Sequence, residues 1–419
     1  MKASKKTITV TLVIGLALIA ASCGDDESTA TSAATSESAT EPSSATESIS
    51  ATESSSASES SSASESSSAT ESSSATEAVC PANLVIQTDW WPELEHGGTY
   101  QLIGTDGSSN ADNFTYTGPI QDQYKVGGVE TVEIRAGGDA VSFTPVTSLL
   151  QTDDSIIFGY VNMSDLIKDS ATAPAIAVAK TLESDPQMIM WDPAQNDVQK
   201  PEDILATGAQ VLHFDGVSYI DYMIAAGYMT AEQSNPSYGG APTEWIAQSG
   251  NFFQQGFATN EVYKYENEIP WKDDAPADVS YYTVKDLGFD NYAATMAIRA
   301  DRLEEFTPCL QVLVPALQQA WVDYLADPTP ITDKLVELND VYDTYWKVSV
   351  PLNTAGFALL EDEGMADNSP DGTYCSVDPE RVQALYDILK PIYDADGVEI
   401  SADPTSVYDN SFCEGAPGR

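Results

Sequence analysis

Histidine is nearly missing from this chain and positive charge is scarce: there are 2 His, and 18 Lys and Arg stand against 65 Asp and Glu for a net charge of -47. Such an excess of negative charge argues against binding nucleic acid and against electrostatic docking on anionic lipid. The arginines, Arg135, Arg299, Arg302, Arg381 and Arg419, are the residues best suited to forked capture of oxyanions, and their scarcity makes a large anionic ligand a poor fit. No CxxC spacing exists, and His96 and His213 lie far apart in sequence, so a zinc site is not expected. A GxSxG elbow, a P-loop, an HExxH pair and a dinucleotide glycine fingerprint are all missing, which speaks against the common enzyme classes. Acidic pairs such as Asp153 with Asp154 and Asp273 with Asp274 read as solvated surface in so acidic a chain. Neither metal nor cofactor is expected. Beyond the first residues, no apolar run is long enough to span a bilayer.

What is present begins at the N-terminus. Lys2, Lys5 and Lys6 precede an apolar run over residues 8–21, followed by Ala20-Ala21-Ser22-Cys23. The run has the length of a signal-peptide core and is too short for a stable membrane span. Its small residues before Cys23 resemble the lipobox of bacterial lipoproteins, with Ala20 where leucine is usual. Residues 1–22 are therefore expected to be a signal peptide, with Cys23 lipidated and anchoring the chain to the outer face of the cytoplasmic membrane. Residues 23–79 form a Ser/Ala/Thr/Glu stretch in which Glu47, Glu53, Glu59, Glu65, Glu71 and Glu77 recur at a fixed spacing. Nothing there can bury a core, so a disordered tether with a relaxed span of about 40 Å is expected.

The body starts at Cys80, and its length suggests two lobes. Cys80, Cys309, Cys375 and Cys413 make an even set in an exported chain, pointing to two disulfides. Spacing leaves three pairings open; Cys309–Cys375 with Cys80–Cys413, which would tie the two ends of the body together, is preferred. Short apolar strands are expected over residues 84–87, 129–134, 155–160, 175–179 and 187–191. Helix starts are expected at Pro201-Glu202-Asp203, Ser218-Tyr219-Ile220, Thr307-Pro308 and Asp378-Pro379-Glu380. Strands alternating with helices make an α/β body with mainly parallel sheets.

The segment Gln87-Thr88-Asp89-Trp90-Trp91-Pro92-Glu93-Leu94-Glu95-His96-Gly97-Gly98 resembles the D-W-x-P-x-x-x-H-x-G opening of the SsuA/THI5-like solute-binding proteins of ABC importers. Residues 154–159 resemble the family's aspartate followed by an apolar strand, 174–179 its P-x-x-x-V-A strand, and 200–204 its S-P-x-D-L helix start. Residues 254–263 resemble a late segment in which a small-residue turn precedes Glu and Tyr. Two stretches depart from the pattern. Residues 104–126 are polar and glycine-rich in place of a compact helix and G-Y-F turn, and no G-K follows the Asp-Leu step. The cysteine-rich metal motif of the related yeast-type pyrimidine synthases is missing as well.

The resemblance implies a two-lobed periplasmic-binding-protein-like fold of type II with a ligand cleft between the lobes. Lobe one is placed at residues 80–186 and 287–419, and lobe two at 187–286. It also implies a monomer that delivers a small solute to an ABC permease, and no catalysis. Trp90 and Trp91 follow a strand end, where open α/β sheets bind ligands; since adjacent strand residues point oppositely, one of the two is expected to face the ligand, and Trp90 holds the family position. His96 is a candidate donor to the ligand or a turn-capping residue. Asn162 and Ser218 are polar groups expected at ligand height, and His213, Phe214 and Asp215 sit where a strand should end. Glu261 and Tyr263 would share a face of an extended segment and clamp an amine and a ring edge. The paired tryptophans and few arginines favour a neutral or cationic nitrogen heterocycle, such as a thiamine-pyrimidine-like solute. The alternatives are a small anion of the sulfonate, taurine or nitrate type, or a surface adhesion or sensory domain.

Overall fold

The structure, a computed structural model, describes residues 78–419. The signal peptide, Cys23 and the tether as far as residue 77 lie outside the described residues; of the tether's last two residues, the Val79 amide donates to the Gly127 carbonyl at 2.9 Å. Among the described residues, twelve strands form two sheets. In chain order the first contains β1 (Asn83–Gln87), β2 (Ser108–Asn110), β3 (Thr115–Pro119), β4 (Thr131–Arg135), β5 (Ile156–Val161) and β6 (Ala175–Ala179). The second contains β7 (Gln187–Trp191), β8 (Val211–Leu212), β9 (Ser234–Asn235), β10 (Phe253–Phe257) and β11 (Ser280–Thr283), after which the chain returns to the first sheet as β12 (Thr295–Arg299). The strand orders are β2-β3-β4-β1-β5-β12-β6 and β11-β7-β10-β8-β9.

The central strands β1 and β5 are buried on both faces, β5 along its whole length. That is why they read in sequence as continuous apolar runs instead of alternating ones. Both sheets are mixed, which corrects the expectation of mainly parallel pairing. β1 is parallel to β4 and β5, but β12 comes back antiparallel between β5 and β6. The polar stretch 104–126 supplies β2 and β3, a hairpin that pairs antiparallel with β4. Short turns permit such hairpins, whereas parallel pairs need long crossovers.

The longest helix, Leu303–Ala326, starts one turn before the Thr307–Pro308 signal and carries Pro308 and Pro315 inside it. Its buried face includes Leu310, Leu313, Leu317, Trp321 and Tyr324. Against it lies the short helix Gly97–Gln101; a Cβ on Gly98 would come within 2.1 Å of the Trp321 ring, so the glycines after His96 allow close helix approach. The helix Pro379–Asp396 begins as expected, with Asp378 accepting a hydrogen bond from the Glu380 amide at 2.9 Å.

The disulfides are Cys80–Cys309 and Cys375–Cys413, with Cα separations of 4.8 and 5.6 Å. This corrects the preferred pairing. The long helix brings buried Cys309 beside the chain as it enters β1, while the turn Asn410–Cys413 packs beside β6. Among the described residues, no helix is long and apolar enough to cross a membrane.

Candidate functional site

Where β1 ends, the backbone is tied to the loop after β4. The Gly137 amide donates to the Trp90 carbonyl and the Gly138 amide to the Asp89 carbonyl, both at 2.9 Å. Thr88 Oγ1 also donates to the Trp90 carbonyl, at 2.7 Å. These bonds direct Asp89 and Trp90 into a cavity of about 710 Å³. Its walls come from the ends of β1 and β5 and the loop after β4 on one side, and from the segments after β8 and β10 on the other.

Trp90 sits at the centre of the apolar wall. Its ring centroid lies 5.4 Å from that of Phe214 and 6.0 Å from that of Phe143. Its six-membered ring is flanked by Gly138 and Gly240, where a Cβ would come within 2.5 Å of Cε3 and 2.8 Å of Cη2 respectively. Phe143 is 45% exposed and follows Ser142 in the left-handed region, with φ of 56° and 55°. Two consecutive non-glycine residues in that region are unfavourable, and the turn they make places the Phe143 ring beside Trp90. On the far side, Gln255 Oε1 accepts from the Phe214 amide at 2.7 Å and from the Tyr219 hydroxyl at 2.6 Å, which fixes the loop after β8.

Seven carboxylates line the cavity: Asp89, Glu93, Asp165, Asp169, Asp185, Asp215 and Glu261. Lys168 is the one cationic side chain among the described lining residues, and its Nζ donates to the Gly216 carbonyl. Burial raises the pKa values of Glu93, Asp165, Asp185 and Glu261 because ionised groups are poorly solvated there. It pushes Asp165 to about 6, helped by Asp169, and Asp185 to about 6 against a hydrogen bond from Asn291. Glu261 is pushed to about 7 by burial although it accepts from the Phe257 amide at 2.7 Å. Glu93 is raised well above the usual range by burial, with Glu95, Asp89 and Glu261 adding to the effect.

Of the residues singled out in the sequence, Trp90, Asn162, Ser218 and Glu261 line the cavity, as do Phe214 and Asp215. Asn162 is held by the Ala294 amide at 3.0 Å, and the Ser218 hydroxyl lies 2.7 Å from the Tyr393 hydroxyl. Trp91, His96 and Tyr263 are not brought there. Trp91 turns the other way and is 5% exposed, edge-on to Phe114 at 5.1 Å. His96 is buried, with Nε2 2.8 Å from Asp89 Oδ1, so it orients a lining carboxylate from behind. His213 is likewise buried, between the Phe214 carbonyl and Ser234. Tyr263 lies on the helix Glu261–Asn267, not on an extended segment, so it points away from the face that Glu261 presents.

Sequence reasoning missed Phe143, Tyr238, Asp185 and Glu93. Glu93 had a signal, since it falls inside the Asp89-to-His96 motif; the others lie in loops with no local pattern. Among the described residues, no group of three or more His, Cys, Asp or Glu is placed to hold a metal ion.

No family model matches the sequence, and none of the curated proteins does. Solved structures do match in fold. The periplasmic aliphatic sulphonate binding protein SsuA of Escherichia coli superposes with a TM-score of 0.52 at 11% identity, over 79% of this chain and 93% of that one. A protein of Bordetella bronchiseptica RB50 superposes with a TM-score of 0.51 at 14% identity, over 80% of this chain and 97% of that one. The chain therefore has the two-lobed α/β fold of periplasmic solute-binding proteins, and the SsuA-like resemblance read from the Asp89–Gly98 motif holds at the level of fold.

Proposed function

We propose that this chain is the extracytoplasmic solute-binding protein of an ABC importer, capturing a small cationic or nitrogen-heterocyclic solute in the cavity around Trp90. Thiamine-pyrimidine-like compounds belong to that class. The observation that carries the reading is the cavity's composition: an aromatic wall with seven carboxylates and no arginine among its described lining residues. Aromatic faces and carboxylates both attract positive charge, and a bound cation would relieve the mutual repulsion of the acids.

In this reading the two sheets are the centres of two lobes, residues 80–186 with 287–419 and residues 187–286. Ligand contacts made by both sides favour the closed form. The protein works as a monomer and binds without catalysis. Lipid at Cys23 holds it to the membrane, the stretch to residue 79 spaces it from the surface, and the permease is its partner. A sulfonate-type anion, the ligand named for the E. coli relative, would meet an acidic surface here.

A thermal-shift screen over vitamins, pyrimidines, amines and sulfonates tests the proposal, because a ligand that binds the native state raises its melting temperature. Stabilisation by cationic or heterocyclic nitrogen compounds is expected. Stabilisation by sulfonates alone would reject the ligand class, and none by any compound would favour an adhesion or sensory role.

A further inference from the structure

One buried carboxylate of the cavity lacks a hydrogen-bond partner among the described residues. Glu93 is 6% exposed and lines the cavity, and among the described residues its side chain makes no hydrogen bond. The nearest cationic candidate, His96 Nε2, is 3.9 Å away and already engaged by Asp89 at 2.8 Å. A buried carboxylate in this state is unfavourable until a donor or a positive charge reaches it. Asp89 lines the same cavity with its side chain 28% exposed, and its Oδ1 is the atom turned to His96. Asp89 and Glu261 both lie within electrostatic reach of Glu93.

The aromatic wall adjoins this acidic group. The Tyr238 hydroxyl lies 3.5 Å from Glu261 Oε1, and the Tyr238 ring is 5.0 Å from Phe214. Phe214, Trp90 and Phe143 form a nearly equilateral triangle with centroid separations of 5.4, 5.8 and 6.0 Å and planes tilted by 42° to 54°. A cationic centre seated over this triangle is within about 6 Å of all three rings, the range in which cations and aromatic faces attract.

We infer that the ligand is a protonated amine, its N–H groups taken by Glu93 and Asp89 and its carbon skeleton held by Trp90, Phe143 and Phe214. This rests on the solute-binding reading above and narrows it. A quaternary ammonium would satisfy the rings but bring no N–H to Glu93. A bare metal ion would need converging oxygen ligands that the described residues do not arrange. An anion would add to the existing negative charge. The cavity volume of about 710 Å³ suits a small organic molecule.

The test is calorimetric titration of the extensively dialysed full-length protein with matched probes. For each of butylamine, phenethylamine and 4-(aminomethyl)pyridine, the amine is compared with its trimethylammonium counterpart and with the corresponding carboxylate. Among the skeletons that bind, the amine is expected to bind at least tenfold more tightly than the quaternary form, with no detectable carboxylate binding. Glu93→Gln should weaken the amine at least tenfold. Equal or tighter binding of the quaternary form, or an unchanged affinity in Glu93→Gln, overturns the amine inference and leaves the solute-binding reading in place. If neither these probes nor the vitamins, pyrimidines and sulfonates bind, both fall. The amine comparison on the unaltered protein requires no variant to fold.

Discussion

The indole of Trp90 packs against the ring of Phe214 with centroids 5.4 Å apart, and the two residues follow strands of different sheets, β1 and β8. The contact joins both walls of the cavity at its centre. Truncating Trp90 should therefore act on binding, whereas truncating its neighbour should act on folding. Trp90→Ala is expected to weaken the best ligand at least tenfold, or about 1.4 kcal/mol. Trp91→Ala empties a buried site against Phe114 and Tyr342 and should lower stability by roughly 3–5 kcal/mol. Titration and denaturant melts of both variants would show whether the two effects separate in this way.

The space beside Trp90 depends on Gly138. An added Cβ would lie 2.5 Å from the indole, and the backbone there has φ of +60°. Gly138→Ala should displace the ring, shift its fluorescence and lower ligand affinity several-fold. Gly208→Ala is the control: it has φ of +67° and open space around it, so it bears a similar backbone penalty of about 1 kcal/mol. The steric account fails if both variants lose the same affinity.

The buried acids make stability depend on pH. Glu261 titrates at about 7 in the fold against an ordinary 4.5, while Asp165 and Asp185 titrate at about 6 against 3.8. Between the ordinary and raised values the native state holds protons that the unfolded chain has released, so these groups make stability fall as pH rises from about 4 to 7. Without ligand, the melting temperature should be higher at pH 5 than at pH 8. Glu261→Gln should add roughly 3 kcal/mol at pH 8 and much less at pH 5, on the scale of 1.36 kcal/mol per pKa unit. Chemical denaturation at the two pH values measures this, and a gain that is the same at both would contradict the assignment.

Peptide mapping without reduction should recover Cys80 linked to Cys309 and Cys375 linked to Cys413. The first bridge closes a separation of 229 residues and the second one of 38. By loop entropy their losses amount to roughly 5 and 4 kcal/mol respectively. Replacing Cys80 and Cys309 together by Ser should thus destabilise more than replacing the other pair, as read by urea midpoints. The reverse order would show that local packing outweighs chain entropy.

Much of the secondary structure was legible because its signals are local. The apolar runs at 84–87, 155–160, 175–179 and 187–191 all became strands, and the Asp378-Pro379-Glu380 cap opened its helix. Failures arose where local signals conflict. Glu261 and Tyr263 are compatible with extended or helical backbone, and only the helix Glu261–Asn267 separates their faces. Pro308 looked like a start signal, yet the helix begins at Leu303 because packing of its buried face outweighs one lost backbone hydrogen bond. The two-residue strands β8 and β9 carry too few residues for any periodicity.

The sequence by itself determined the acidity, the α/β alternation, the even cysteine set and the Asp89–Trp90 strand end, since each is a matter of composition or of neighbours along the chain. Tertiary structure alone decided which cysteines pair, that Glu261 and not Tyr263 meets the cavity, and that seven carboxylates spread between Asp89 and Glu261 line one space. The physical reason is range. Propensity and periodicity act over a few residues, whereas these outcomes depend on how the chain crosses from the first sheet to the second and returns as β12.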